Sequence, residues 1–93
     1  MIEDWRLENL RADDLLFGIT LRRMHYRLFG PAWDHDHCCG CFATLALPET
    51  SIEALHEGYA TTEDYVHGPE YAWVCVECFD LFAREMQWKI SFD

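Results

Sequence analysis

Hydrophobic and polar positions along the 93-residue chain fall into blocks of different period, and each period predicts an element. Between Leu15 and Tyr26 they alternate. Leu15, Phe17, Ile19 and Leu21 share one face, and Leu16, Gly18, Thr20, Arg22, Met24 and Tyr26 share the other. Period two with Phe, Ile and Thr predicts a strand. A helix over Ile19 to Leu28, with Leu21, Met24 and Leu28 as its stripe, is the competing reading. Upstream, Met1 to Asp14 is polar around Trp5, Leu7 and Leu10, a pattern that fits strand and helix spacing alike. Leu28 to Trp33 reads as a connector because it contains Gly30-Pro31.

The second half carries three further blocks. Phe42 to Leu47 is apolar and is interrupted by Pro48. Ile52 to Tyr59 predicts a strand, Ala60 to Glu70 a long polar hairpin loop containing Gly68-Pro69, and Tyr71 to Val74 a short returning strand. From Cys75 onward Phe79, Phe82, Met86 and Ile90 recur at three- and four-residue spacing, with Asp80, Arg84, Glu85, Gln87 and Lys89 largely opposite. This predicts an amphipathic helix reaching Ile90, with Glu77 near its start and Lys89 near its end suiting the helix dipole.

Cysteine spacing changes the picture from elements to chemistry. Cys38-Cys39-Gly40-Cys41 and Cys75-Val76-Glu77-Cys78 each have two residues between thiols. Two such turns brought together form the tetrahedral four-thiolate cage that Zn2+ accepts, so Cys38, Cys41, Cys75 and Cys78 are the expected ligands of one structural zinc ion. Gly40 is expected to supply a positive φ in the first turn. Cys39 is left outside the cage as a neighbour of the turn. Four protein ligands leave no position for water, so the expected metal supports the fold and no catalytic residue or further cofactor is assigned.

Composition narrows the setting. The chain is 51% hydrophobic and 15% aromatic, too apolar for disorder, and its length suits one small domain that needs a staple beyond its core. The start, Met1-Ile2-Glu3-Asp4-Trp5, has no apolar run of a leader, no stretch reaches the length of a membrane span, and five cysteines is an odd count. A cytoplasmic protein with reduced thiols, and no membrane, is expected. Seventeen Asp and Glu against seven Lys and Arg give a net charge of −10, which four thiolates and a divalent ion would deepen by two. The one basic cluster, Arg22-Arg23 with Arg27, is small, so nucleic acid is not expected as a partner. Acidity serves solubility, and its functional reading is a basic protein partner.

A two-Cys knuckle, a β-hairpin and a helix with two Cys in its first turn resemble, in that order, a treble-clef zinc finger over Trp33 to Ile90. The resemblance implies an α+β fold: residues 33–93 as the treble-clef core, residues 1–32 as an extension packing on it with an added N-terminal strand, and 1–93 as one zinc-binding domain. The chain is also similar to small uncharacterised bacterial proteins with His-Asp-His-Cys-x-x-Cys and a Cys-x-x-Cys-Phe helix ending in Trp-Lys, here His35 to Cys41 and Cys75 to Lys89. Treble clefs act as supports, as protein- or nucleic-acid-binding modules and as nuclease scaffolds, and fold alone does not choose.

Some residues have two readings. Asp34-His35-Asp36-His37 resembles the metal-binding and general-base strand of His-Me finger nucleases, which implies His35 or His37 in catalysis. The chain departs from that family: no Cys pair precedes Asp34, the later Arg and Asn are absent, and the charge is acidic. The competing reading places Asp36 and His37 around the knuckle, hydrogen-bonded to cysteine sulfur or backbone. Direct ligation by His37 in place of one Cys is a third. His56-Glu57 and His67 read as surface residues, because an H-E-x-x-H motif would need His at position 60, where Ala60 stands. Glu63-Asp64 and Asp13-Asp14 read as solvated acid pairs. Trp5, Trp33, Trp73 and Trp88 belong either to the core and its rim or to an aromatic, acidic surface for a basic partner. The resulting expectation is a non-enzymatic protein-interaction module, with a divergent nuclease as the alternative.

Overall fold

Asp4 begins the described structure by capping a helix: its carboxylate accepts the Arg6 N–H at 2.9 Å, and α1 runs Trp5–Ala12. The computed structural model describes residues 4–92, so Met1 to Glu3, from the start expected not to be a leader, lie outside it. A single 3-10 turn, Asp14–Leu16, follows, capped by Asp13. Then come β1 (Thr20–His25), β2 (His35–His37), β3 (Thr44–Ala46), β4 (Glu57–Thr61), β5 (Trp73–Val74), α2 (Val76–Met86) and β6 (Lys89–Ser91). The fold is α+β: a four-stranded sheet in the order β5-β4-β1-β6 and a two-stranded β2-β3 hairpin.

Alternation from Leu15 overstated the first strand. The Asp13 carboxylate takes the Leu15 N–H at 3.0 Å and turns the chain, and Gly18, at φ +74°, donates to Met86 O at 2.8 Å. The strand starts only at Thr20. Ile19 and Leu21 are buried, whereas Leu15 and Phe17, placed on the same face by the alternation, are exposed and Leu16 is buried. Local capping outweighed the period-two pattern there. Likewise β4 starts only at Glu57 and Ile52 is 83% exposed, so the first part of the strand expected over 52–59, Ile52 to Ala54, is turn and bend.

β1 has partners on both sides, antiparallel β4 and parallel β6. β6 replaces the expected last turn of the helix. Gln87 adopts φ +55°, the helix closes through its N–H to Ala83 and Arg84 carbonyls, and Lys89 N–H then bonds Ile19 O at 3.0 Å. Lys89 and Ile90 are therefore strand residues, and Arg84 is the cation in the last helical turn. Phe79, Phe82 and Met86 are buried as their spacing predicts, together with Cys78, whereas Ile90, carried past the helix end into β6, is exposed. Phe79 stacks on Tyr59 at 3.8 Å and on Trp88 at 5.7 Å, joining α2 to the sheet. Burial of each of these side chains stabilises by about 2 kcal/mol.

The loop from Thr62 to Ala72 is organised by one hydroxyl. Thr61 Oγ1 donates to Gly68 O at 3.0 Å and accepts from Tyr71 and Ala72 N–H at 3.1 and 3.2 Å. That fixes the path by which β5 delivers the chain to Cys75.

Candidate metal centre

The β2-β3 hairpin closes through Cys38 N–H to Ala43 O at 2.8 Å and Phe42 N–H to Cys38 O at 2.9 Å, which folds Cys38 and Cys41 toward each other. Cys39 N–H bonds Trp73 O at 2.9 Å, so this turn is fastened to β5, and β5 runs straight into Cys75. Cys75 is the N-cap of α2, its sulfur accepting the Cys78 N–H at 3.4 Å. The C-x2-C spacing then sets Cys78 in the first helical turn beside it.

Sequence separation disappears at this point. The sulfurs of Cys38, Cys41, Cys75 and Cys78 all lie within 4.8 Å of one another, and Cys41 and Cys75 approach to 3.6 Å. A tetrahedron with metal–sulfur bonds of about 2.3 Å has edges of about 3.8 Å, so the donor set fits a metal ion such as zinc. Backbone N–H groups already point at the sulfurs: Gly40 and Cys75 donate to Cys38 Sγ at 3.4 and 3.3 Å. Those bonds and the N-terminus of α2 favour the anionic form.

Electrostatics explains why the cage wants a cation. The Cys38 thiol is lowered to about 4, chiefly by the hydrogen bond from Cys75, while that same bond holds the Cys75 proton and raises its pKa. Burial, then the charge of Cys38, pushes Cys78 up to about 12. One thiolate is easily formed, and further ones need a positive ion between them.

The remaining expectations separate here. Cys39 stands outside the four-sulfur cluster, half-buried, with its thiol pushed up to about 12 by burial and then by Cys38. His37 is not in the cluster either. Asp36 does not serve a cysteine: its Oδ2 accepts from Tyr26 OH and Trp33 Nε1, both at 2.8 Å, because β2 turns it inward while His35 and His37 face outward. The two imidazoles are exposed, 4.9 Å apart between centroids, and His35 Nδ1 lies 3.2 Å from Asp34. His56 is not a free surface residue, since its Nε2 meets Ser51 O at 2.9 Å. His67 is exposed beside Tyr71.

Two expected acid pairs are each split. Asp13 caps the 3-10 turn, and Asp64 accepts the Thr20 N–H at 2.9 Å and the Thr62 hydroxyl at 3.2 Å. Of the basic cluster, Arg23 pairs with Glu57 at 3.0 Å and Arg27 with Glu70 at 3.4 Å. Trp73 is fully buried and Trp88 nearly so, Trp33 is half-buried, and Trp5 is 54% exposed.

Gly40 is not at positive φ; that conformation falls to Phe42, at φ +65°. Gly40 is needed for space, since a Cβ there would lie 3.1 Å from Cys78 Sγ and 3.3 Å from Leu10. Asn9 Nδ2 also bonds Gly40 O at 2.8 Å, so α1 braces the knuckle. No sequence spacing links residues 9 and 10 to residue 40. No family model, curated protein or solved structure matches this chain.

No described helix is long and apolar enough to cross a membrane.

Proposed function

We propose that this chain is a zinc-stapled, non-enzymatic protein-interaction module. The observation that carries the reading is the convergence of Cys38, Cys41, Cys75 and Cys78, all four sulfurs within 4.8 Å. One Zn2+ held by four protein ligands has no open coordination position, and three of these four side chains are buried. Such an ion would bind the β2-β3 turn to the start of α2 and support the fold without chemistry of its own. The treble-clef reading draws on the order of parts: the turn with one Cys pair, antiparallel β4 and β5, then α2 with the second pair at its N-terminus. Free thiols at all five cysteines suit a reducing compartment such as the cytoplasm. A protein partner fits the exposed aromatic side chains Trp5 and Phe42 on a chain of net charge −10.

Mass spectrometry of protein purified without added metal tests the zinc reading. One zinc per chain, with no reactive thiol besides Cys39, is the expected result. No metal and five reactive thiols would overturn it.

A divergent His-Me finger nuclease is the second reading. It draws on the exposed His35 and His37, adjacent on β2 beside Asp34. Against it, Asp36 is spent on Tyr26 and Trp33. A His35→Ala, His37→Ala double variant decides between them: an interaction module keeps its fold and partner, whereas a nuclease loses DNA cleavage.

A further inference from the structure

We infer that Trp5, Phe42 and the depression beside Cys41 and Cys75 form a docking surface for a basic peptide carrying apolar side chains between its cations. This rests on the interaction-module reading and gives it a place and a chemistry.

Phe42 is costly twice over. Its φ of +65° is a conformation that favours glycine, and its aromatic side chain is 59% exposed. Folding alone would favour Gly at this turn. Its ring lies 6.4 Å from that of Trp5, itself 54% exposed, so two large aromatics stand together in solvent at the knuckle. Exposed aromatic pairs of this kind are the usual anchors of protein interfaces.

The chain on either side of Phe42 lines a depression of about 320 Å³, formed by Cys41, Ala43, Leu55, Glu57, Cys75, Val76 and Glu77. Ala43, Leu55 and Val76 offer an apolar floor for a side chain. Glu57 and Glu77 stand beside it, each already paired with an arginine, Arg23 at 3.0 Å and Arg6 at 3.2 Å, so the charge that draws a cation is chiefly that of the chain as a whole. Glu77 is 73% exposed. A second copy of this chain, at net charge −10, is repelled by such a surface, as are nucleic acid and anionic lipid. A cationic partner is attracted and oriented by it. Cys41 and Cys75 line the same depression, so an occupant also covers the exposed side of the sulfur cluster.

The test uses the full chain and the fluorescein-labelled peptide Lys-Lys-Leu-Phe-Lys-Lys, with Lys-Lys-Ser-Ser-Lys-Lys and Glu-Glu-Leu-Phe-Glu-Glu as comparisons. Fluorescence anisotropy is expected to show binding of the first peptide, at least about tenfold weaker on Phe42→Gly and on Leu55→Ser. Binding of the serine peptide is expected to be weaker too, and the glutamate peptide is expected not to bind. Gly suits the backbone at position 42, so Phe42→Gly remains folded. The bound peptide is also expected to slow extraction of metal by a chelator. Unchanged affinity in both variants, or equal binding of the serine peptide, would overturn the proposal. So would a sedimentation shift to monomer in Phe42→Gly, which would mean that a second copy covers the patch. Metal content measured on the same samples keeps the readings apart: a zinc-loaded protein that ignores the peptide sinks this surface alone, and a metal-free protein sinks the zinc reading.

Discussion

Leu10 of α1 packs so tightly on Gly40 of the knuckle that a Cβ on Gly40 would meet its Cδ1 at 3.3 Å, with Cys78 Sγ at 3.1 Å on the other side. The N-terminal helix therefore forms part of the wall of the sulfur cluster. Gly40→Ala is expected to cost about 1–3 kcal/mol, by the strain of overpacking, and to weaken metal binding with it. Urea unfolding followed by circular dichroism, with chelator competition on the same protein, checks both. A fully native midpoint would show that Leu10 can move aside freely.

Phe42→Gly should act in the opposite direction. Relief of a left-handed aromatic residue is expected to raise stability by about 1 kcal/mol, while any function of the exposed ring is lost. A rise in the thermal midpoint is the readout.

Metal removal should be close to unfolding. Cys78 is fully buried in the first turn of α2, and its loss leaves three sulfurs and no closed cage. Cys78→Ala, or a chelator on the wild type, is expected to abolish the native circular dichroism spectrum, because binding energy in such sites is folding energy. Protons compete for the same thiolates, so metal retention should fail as pH falls. A near-native spectrum without metal would refute this.

Alkaline pH should loosen the sheet. Tyr26 is raised well above its ordinary pKa, by burial first and then by its hydrogen bond to Asp36. Burial, then the charge of Asp13, likewise pushes Tyr65 up to about 12. In the unfolded chain both would ionise near pH ~10, so above that pH the folded state holds the extra protons. Their contribution is complete below about pH 10 and declines as pH rises, for Tyr65 through about 12. Unfolding free energy measured from pH 8 to 11 should fall, and Tyr26→Phe should flatten that fall.

Thr61→Val keeps the shape of a buried side chain and removes its hydroxyl. Gly68 O and the Tyr71 and Ala72 N–H groups then lose a partner. The expected cost is about 2 kcal/mol, with faster hydrogen exchange at Tyr71 and Ala72 as the local signature.

Local chemistry was legible along the sequence. The two C-x2-C pairs named the four sulfurs that converge, and the three-and-four spacing of Phe79, Phe82 and Met86 named the buried face of α2, because a turn and a helix each bring near neighbours together by backbone geometry alone. Boundaries were legible only where no capping group intervened, so Asp13 and Gln87 displaced the start of β1 and the end of α2. Tertiary structure decided the rest. Leu10 against Gly40, Asp36 beneath Tyr26 and Trp33, and Trp73 tied to Cys39 join residues whose separation follows no period. It also assigned strain to Phe42 and space to Gly40, a reversal that depends on which neighbours crowd each Cα once the chain has closed.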